Sequence, residues 1–215
     1  MIIYALSDIH GFLPKVPECD ICIIAGDFCP KFNHNIGMQH CWLDTNFRTW
    51  LNEIPAKHIV GIAGNHDLIY EYQPTFVPKG LNWTYLQDES TIIEGIKIHG
   101  TPYQTKFGNW PFMKTEEELD ILWKDMPACD ILVVHGPPMG AGDWSRFRKT
   151  PERAGSITLA KKLEQLKIQW CICGHIHENY GTYKLGATKV ANVAVCSNDC
   201  SKILFPPMLI PFEKS

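Results

Sequence analysis

Short apolar runs recur along the chain, each about the length of one buried strand and each stopping abruptly at Gly, Asp, Asn or His. They occupy residues 2–6, 21–25, 59–63, 131–134 and 168–173. Runs without polar alternation predict strands covered on both faces, as in the parallel sheets of α/β proteins. Between them the period changes. Ile36, His40, Leu43, Phe47, Trp50, Leu51 and Ile54 recur at helical spacing, which predicts an amphipathic helix over 36–54 stopped by Pro55. Thr115 with Glu118 forms a capping box for a helix over 115–126, whose inward face would carry Leu119, Leu122, Trp123 and Met126. A third helix over 156–166 would present Leu159, Leu163 and Leu166. Two hairpins are expected, over 91–99 around Glu94-Gly95 and over 183–195 around Gly186. Alternating strand and helix units with added hairpins predict an α/β fold of two packed mixed sheets with helices outside. No repeat, low-complexity tract or long linker interrupts the chain, so a single domain over 1–215 is expected.

Composition narrows the function classes. With 215 residues, 45% of them hydrophobic, the chain can bury a core without staples. A net charge of -3 argues against a protein that grips nucleic acid non-specifically. No charged leader or cleavage site is visible, and no apolar run approaches the ~20 residues of a membrane span. A soluble, cytoplasmic protein with no membrane partner is the expectation. The 9 cysteines are odd in number and scattered, with Cys22, Cys171, Cys173 and Cys196 inside strand-like runs. That distribution predicts reduced core thiols. Cys19-Asp20-Ile21-Cys22 has no second pair at zinc-ribbon spacing, and Cys196 and Cys200 read as structural too.

The chemistry is concentrated at the strand ends. Asp8-Ile9-His10 follows the first run, Gly26-Asp27 the second, Gly64-Asn65-His66-Asp67 the third, His135-Gly136 the fourth and Gly174-His175-Ile176-His177 the fifth. Ligands in α/β sheets bind beyond the carboxyl ends of the strands, where these five loops can converge. Each motif alone is commonplace; their ordered recurrence, each behind a strand, is what points to one site. Asp, Asn and His are hard to borderline donors suited to Mn, Fe or Zn, and they are too many for one ion. Two divalent ions ~3.5–4 Å apart can hold a bridging hydroxide and clamp a phosphate for in-line attack.

This ordered set resembles the signature of the calcineurin-like metallophosphoesterases, over residues 8–177. Gly100-Thr101-Pro102-Tyr103, the stretch from His135 to Asp143 and the stretch from Gly174 to Gly181 resemble its MPPED-type branch, related to class III cyclic nucleotide phosphodiesterases. The resemblance implies a four-layer αββα sandwich and two divalent metal ions, with Mn favoured over Fe or Zn. Asp8, His10 and His177 would hold one ion, Asp27 would bridge, and Asn65, His135 and His175 would hold the second. His66 would contact the phosphate and protonate, or stabilise charge on, the leaving oxygen, and Asp67 would orient the loop or the imidazole as part of the catalytic pair. Many members carry Gly-Asp-x-x-Asp where this chain has Gly26-Asp27-Phe28-Cys29-Pro30, which weakens the comparison with protein phosphatases. The implied substrate is a small phosphodiester such as a cyclic nucleotide, hydrolysed by attack of a metal-bridging hydroxide. A phosphomonoesterase, a nuclease or a non-catalytic scaffold shares the fold, though the scaffold class lacks a histidine at the position of His66. A homodimer is the further partner expectation.

Two loops are candidates for substrate binding. Residues 103–112 carry Tyr103, Phe107, Trp110 and Phe112, which read either as a loop packed by its own aromatics or as a wall in which Trp110 and Phe112 would stack a nucleobase. Residues 143–153 carry Arg146, Arg148, Lys149 and Arg153, which read either as a solvated loop or as a second phosphate clamp through Arg146 and Arg148. His34, His40, His58 and His99 are expected in surface or packing roles, with His99 placed by its hairpin end near the site.

Overall fold

The computed structural model describes residues 1–31, 34–146, 150 and 152–213. The first half runs β1 (Ile3–Leu6), β2 (Cys19–Ala25), α1 (Ile36–Trp42), a π turn (Leu43–Phe47), α2 (Arg48–Glu53), β3 (Ala56–Ile62), α3 (Leu68–Tyr72) and β4 (Thr84–Tyr85). The middle runs β5 (Glu89–Ile93), β6 (Ile96–Thr101), β7 (Gln104–Thr105), β8 (Met113–Lys114), α4 (Glu116–Leu122) and β9 (Ile131–Val134). The last part runs β10 (Trp144–Ser145), β11 (Glu152–Arg153), α5 (Ile157–Leu166), β12 (Trp170–Cys173), β13 (Gly181–Leu185), β14 (Thr188–Asn192) and β15 (Met208–Ile210).

Two large mixed sheets result. One has the order β15-β1-β2-β3-β4 and the other β13-β14-β12-β9-β6-β5. Strands β1 to β4 pair in parallel, with β15 antiparallel at the edge; β14, β12, β9 and β6 pair in parallel, with hairpin strands β13 and β5 outside. The hairpin at Glu94-Gly95 closes with φ of 51° and 78°, the left-handed pair that a two-residue turn requires.

The period of two along each strand divides its side chains between cores. Ile21, Ile23 and Ala25 of β2 face Ile98, Ile131, Val133 and Ile172 of the opposite sheet, filling the space between sheets. The intervening Cys22 and Ile24 pack under Leu43, Phe47, Trp50 and Leu51. On the far side Leu132, Val134, Cys171 and Cys173 pack under Leu119, Trp123, Leu159 and Leu163 of α4, its C-terminal turn and α5. The layers are therefore helix, sheet, sheet, helix.

The helix expected over 36–54 forms as one continuous helical run, but the π turn at its centre changes which side chains face inward. The extra residue per turn keeps Leu43 and Phe47 both buried and brings Gln39, not His40, to the inner face. The capping box at Thr115 is present, while Leu122 is exposed because the helix stops there and Trp123 turns back into the core. Trp123 donates through Nε1 to Thr101 Oγ1 at 3.0 Å. Ser156 caps α5 by accepting from Leu159 N at 3.1 Å. Among the described residues no helix is long and apolar enough to cross a membrane.

Truncating the buried Leu163 to Ala should cost about 2–5 kcal/mol in urea unfolding, whereas Ile121→Ala, 77% exposed on α4, should stay within about 0.5 kcal/mol. Comparable losses at both positions would contradict the packing described. The buried His99, bonded to Ser90 at 2.9 Å, is pushed by burial and then by Lys97 from 6.5 down to about 4. Between those values the unfolded chain binds a proton that the folded one does not, so stability falls as pH drops from 6.5 towards 4. Thermal midpoints recorded across that window should decline less steeply for His99→Gln than for wild type; parallel curves would mean that His99 charges freely in the fold.

Candidate metal centre

The parallel strands β1, β2 and β3 of one sheet and β9 and β12 of the other end on a common edge, and the five predicted loops meet there. The backbone is bent unusually hard to achieve this. Asp8, His10, Asp27 and His175 have φ of 55°, 44°, 54° and 66°, a region that costs a residue with a Cβ about 1–3 kcal/mol. The loops are held against one another by Asp8 N donating to Gly26 O at 2.9 Å and His10 N donating to Asp27 O at 3.0 Å. At Gly174 a Cβ would collide with Ser7 Oγ and the Asp8 carboxylate, so only glycine lets the loop after β12 approach the one after β1.

Two donor clusters form. In the first, Asp8 Oδ1 lies 3.1 Å from His177 Nε2 and 3.9 Å from His10 Nε2, and the two imidazole nitrogens are 3.3 Å apart. In the second, His135 Nε2 stands 3.4 Å from Asp27 Oδ2 and 3.2 Å from Asn65 Oδ1, with His175 in the same group. Asp27 also belongs to a group with His10 and His66, so it links the two. Two outer ring nitrogens are fixed by carbonyls, His177 Nδ1 donating to Ser197 O and His135 Nδ1 to Ala25 O, both at 2.9 Å, which turns each Nε2 inward.

The electrostatics are those of an unbalanced cage. Burial opposes ionisation of Asp8, but His177 and then His135 outweigh it and hold the carboxyl well below its usual range. Burial likewise opposes protonation of His177, yet Asp8 raises it to about 11. His135 is opposed by burial and raised to about 9 by Asp27. Burial drives His175 down to about 3 and His66 to about 4. Two buried carboxylates thus draw positive charge onto the imidazoles around them, and His10 Nδ1 and His66 Nδ1 are buried and unpartnered. This donor set fits divalent cations: nitrogen and oxygen ligands in contact, and carbonyl acceptors fixing the tautomers behind them.

A supporting ring of residues surrounds the cage. Asp67 is fully buried and accepts from Asp27 N, Cys29 N and Gly64 N at 2.8, 2.8 and 2.7 Å. Burial and then Asp27 raise its carboxyl to about 7, while the three N–H donors pull the other way. Asp67 lies outside the cleft lining and ties the loop after β2 to the loop after β3, a place in keeping with the loop-orienting role expected of it beside His66. Gln39 donates to His66 O at 2.7 Å and accepts from Ile69 N at 3.0 Å. Gln104 donates to Asn65 Oδ1 at 2.7 Å. Asn192 donates to Gly142 O, Gly174 O and Ile176 O. None of these three stands out in the sequence as part of the site. The helical spacing set His40, not Gln39, on the inner face, and Gln104 and Asn192 have no signal apart from contacts between distant segments.

The cleft above the cage measures about 800 Å3 and is lined by His10, Asp27, Asn65, His66, His175 and His177 together with Lys31, His34, Phe107, Trp110, Arg146 and Cys200. Trp110 lies with its ring centroid 5.0 Å from His66, and Phe107 lies 5.2 Å from His175, so two aromatic rings of one loop stand against the cage. Phe112 does not line the cleft. It is fully buried against Tyr103, with Phe112 N bonded to Glu71, because its left-handed φ of 58° turns the chain inward. His34, expected in a surface or packing role, is exposed and packs edge-on to Trp110 at 5.0 Å, at the border of the cleft. His99 is buried on β6 and is not part of the lining. Arg146 borders the cleft; Arg148 lies outside the described residues. Arg153 is drawn away by an ion pair with Asp143 at 2.6 Å and by stacking on Trp144.

Comparison with known proteins agrees with this geometry. Metallophosphoesterase domain-containing protein 1 of Homo sapiens is 30% identical over 234 aligned residues, covering 95% of this chain and 69% of that one. A UPF0046 protein of Caenorhabditis elegans is 31% identical over 214 residues, covering 91% and 70%. Among solved structures, phosphopantetheinyl hydrolase of Mycobacterium tuberculosis superposes with a TM-score of 0.57 at 14% identity, covering 90% of this chain and 89% of that one. The protein TT1561 of Thermus thermophilus gives 0.54 at 17%, covering 90% and 88%. At such identities the structures attest the fold alone, which is the metallophosphoesterase fold. The family model for calcineurin-like phosphoesterases matches residues 1–179, a span that contains every donor of the cage, and this chain belongs to that family.

Proposed function

We propose that the protein is a phosphodiesterase acting on a small diester with a planar substituent, such as a cyclic nucleotide. Membership of the family makes it a metal-dependent phosphoesterase; the diester and its substituent are the finer reading. The observation that carries it is the pair of donor clusters joined through Asp27, open to a cleft lined by Trp110 against His66 and Phe107 against His175.

In this reading Asp8, His10 and His177 hold one divalent ion, Asn65, His135 and His175 hold the other, and Asp27 serves both. Manganese is the favoured ion, with iron or zinc as alternatives. When bound, such ions supply Lewis-acid stabilisation of phosphoryl charge and lower the pKa of bound water. The chain's own groups do the rest. Only two carboxylates, Asp8 and Asp27, stand in the ligand set, so the loaded site is electropositive and draws a phosphate anion, with Lys31 and Arg146 adding charge at the rim. Trp110 and Phe107 flank the substituent and exclude water. His66 sits between Trp110 and His10, its backbone N–H tied to Asp27 Oδ1 at 2.7 Å and its carbonyl held by Gln39. Burial keeps its imidazole neutral near pH 7, so a ring N–H is donated to the leaving oxygen as negative charge develops there. Nine free thiols agree with a reducing, cytoplasmic setting.

The decisive assay compares a chromogenic phosphodiester with the matching monoester, with added Mn2+ and with chelator. Diester turnover should require metal and fall about 10²–10⁴-fold in His66→Ala with metal content unchanged; turnover of the monoester alone would replace the diesterase reading by a phosphatase. A second comparison tests the aromatic walls. Trp110→Ala should raise KM for a cyclic nucleotide while leaving KM for a small chromogenic diester near its wild-type value. Phe112→Ala should instead cost about 3–5 kcal/mol of stability. An unchanged nucleotide KM in folded Trp110→Ala would remove the planar-substituent argument.

A further inference from the structure

Gln104 is a buried side chain that satisfies only half of its amide. It is 2% exposed, and its Oε1 is buried with no partner among the described residues. An apolar side chain of the same shape would fill that space and leave no orphaned oxygen. The other end of the amide accounts for its presence. Nε2 donates to Asn65 Oδ1 at 2.7 Å, the oxygen that also stands 3.2 Å from His135 Nε2 in the second donor cluster. The close approach is built into the neighbouring loop. A Cβ on Gly136, the residue after His135, would lie 2.7 Å from Gln104 Cβ, so the glycine behind the ligand lets Gln104 reach the cage.

The backbone of Gln104 is held as firmly as its side chain. Gln104 N donates to Phe112 O at 2.9 Å, and Lys106 N to Lys114 O at 2.8 Å, where β7 and β8 pair. Thr105 Oγ1 donates to Glu116 Oε1 at 3.1 Å, and Phe112 N donates to Glu71 Oε2 at 2.7 Å. These contacts close the base of the aromatic loop. Phe107 and Trp110 stand on the loop so closed, against His175 and His66. One side-chain hydrogen bond therefore joins the loop that walls the cleft to a donor of the cage.

We infer that Gln104 is a positioning residue that couples the aromatic loop to the ion held by Asn65, His135 and His175. Its N–H takes one lone pair of Asn65 Oδ1 and fixes the plane of that amide, which leaves the other lone pair for the ion. Filling that position immobilises Asn65 and, through the same hydrogen bond, the base of the loop at residues 104–113. Gln104 bonds none of Asp8, His10 and His177, so the ion they hold is indifferent to it. This inference rests on the metal-centre reading of the cage, and its test separates the two.

The full-length protein, stripped with chelator, is titrated with Mn2+ in a calorimeter. Wild type should bind two ions, and Asn65→Ala should weaken one of them, which marks the second position. Gln104→Met keeps the length of the side chain and loses the N–H. It should weaken that same ion about 10–100-fold and leave the other unchanged. In the Asn65→Ala background Gln104→Met should change neither affinity, because the contact it removes is already gone. Backbone hydrogen exchange supplies a readout that lost packing would not move: saturating Mn2+ should slow exchange over 104–113 in wild type and not in Gln104→Met. Two ions with wild-type affinities in Gln104→Met, or equal weakening of both, would overturn the positioning role and leave the centre standing. No Mn2+ bound by wild type would overturn both. Should Gln104→Met fail to fold, wild type alone decides, and exchange over 104–113 that is the same with and without Mn2+ would overturn the coupling.

Discussion

The Asp67 carboxylate is the contact on which the site depends. Its two oxygens take three backbone N–H groups, from Asp27, Cys29 and Gly64, and so clamp the loop after β2 to the loop after β3. Those loops carry Asp27, Asn65 and His66. A side chain in this position has no route to the cleft, but without it the loops would separate and three N–H groups would be buried unpaired. The active groups are thus ordered by backbone hydrogen bonding one layer below the chemistry.

The sandwich supplies the matching rigidity. Its inter-sheet core is built from Ile, Val and Ala on strict alternation, and the strands that carry ligand loops are the inner, parallel ones. A parallel strand must leave through a loop at its carboxyl end, so five such strands aligned in two sheets bring five loops to one edge. Left-handed backbone at Asp8, His10, Asp27 and His175 is tolerated there because the strands and the loop hydrogen bonds leave those residues no alternative. Regular strand packing fills the rest of the sheets, and the strain gathers at the edge where donors must point inward.

Much of this was legible in the residues. Five apolar runs ending in Asp, His, Gly-Asp, Gly-Asn-His-Asp and Gly-His-x-His located the inner strands and the donor set, because a buried strand needs an unbroken apolar run and a metal cage needs polar residues where that run stops. The capping box at Thr115 and the turn at Glu94-Gly95 were equally local and equally readable. The buried place of Phe112 and the inward turn of Gln39 were not. Trp110 and Phe112 sit two residues apart in one aromatic stretch, yet one borders the cleft and the other lies in the core, a division set by a single left-handed residue. Gln39 moves to the inner face through a π turn that no periodicity announces.

Residue order alone settles the kind of protein: a layered α/β fold, a family, and a set of nitrogen and oxygen donors in a fixed succession, since each follows from short-range patterning and residue chemistry. Which groups share a space is a matter of packing in three dimensions. Packing brought Asp67 beneath three amides, Gln104 onto Asn65, Trp110 against His66, Phe107 against His175, and the sulfur of Cys200 beside two imidazoles. Those contacts join segments up to about 190 residues apart, Cys200 to His10 among them, and they depend on distances that the packing of two sheets sets and that no local pattern encodes.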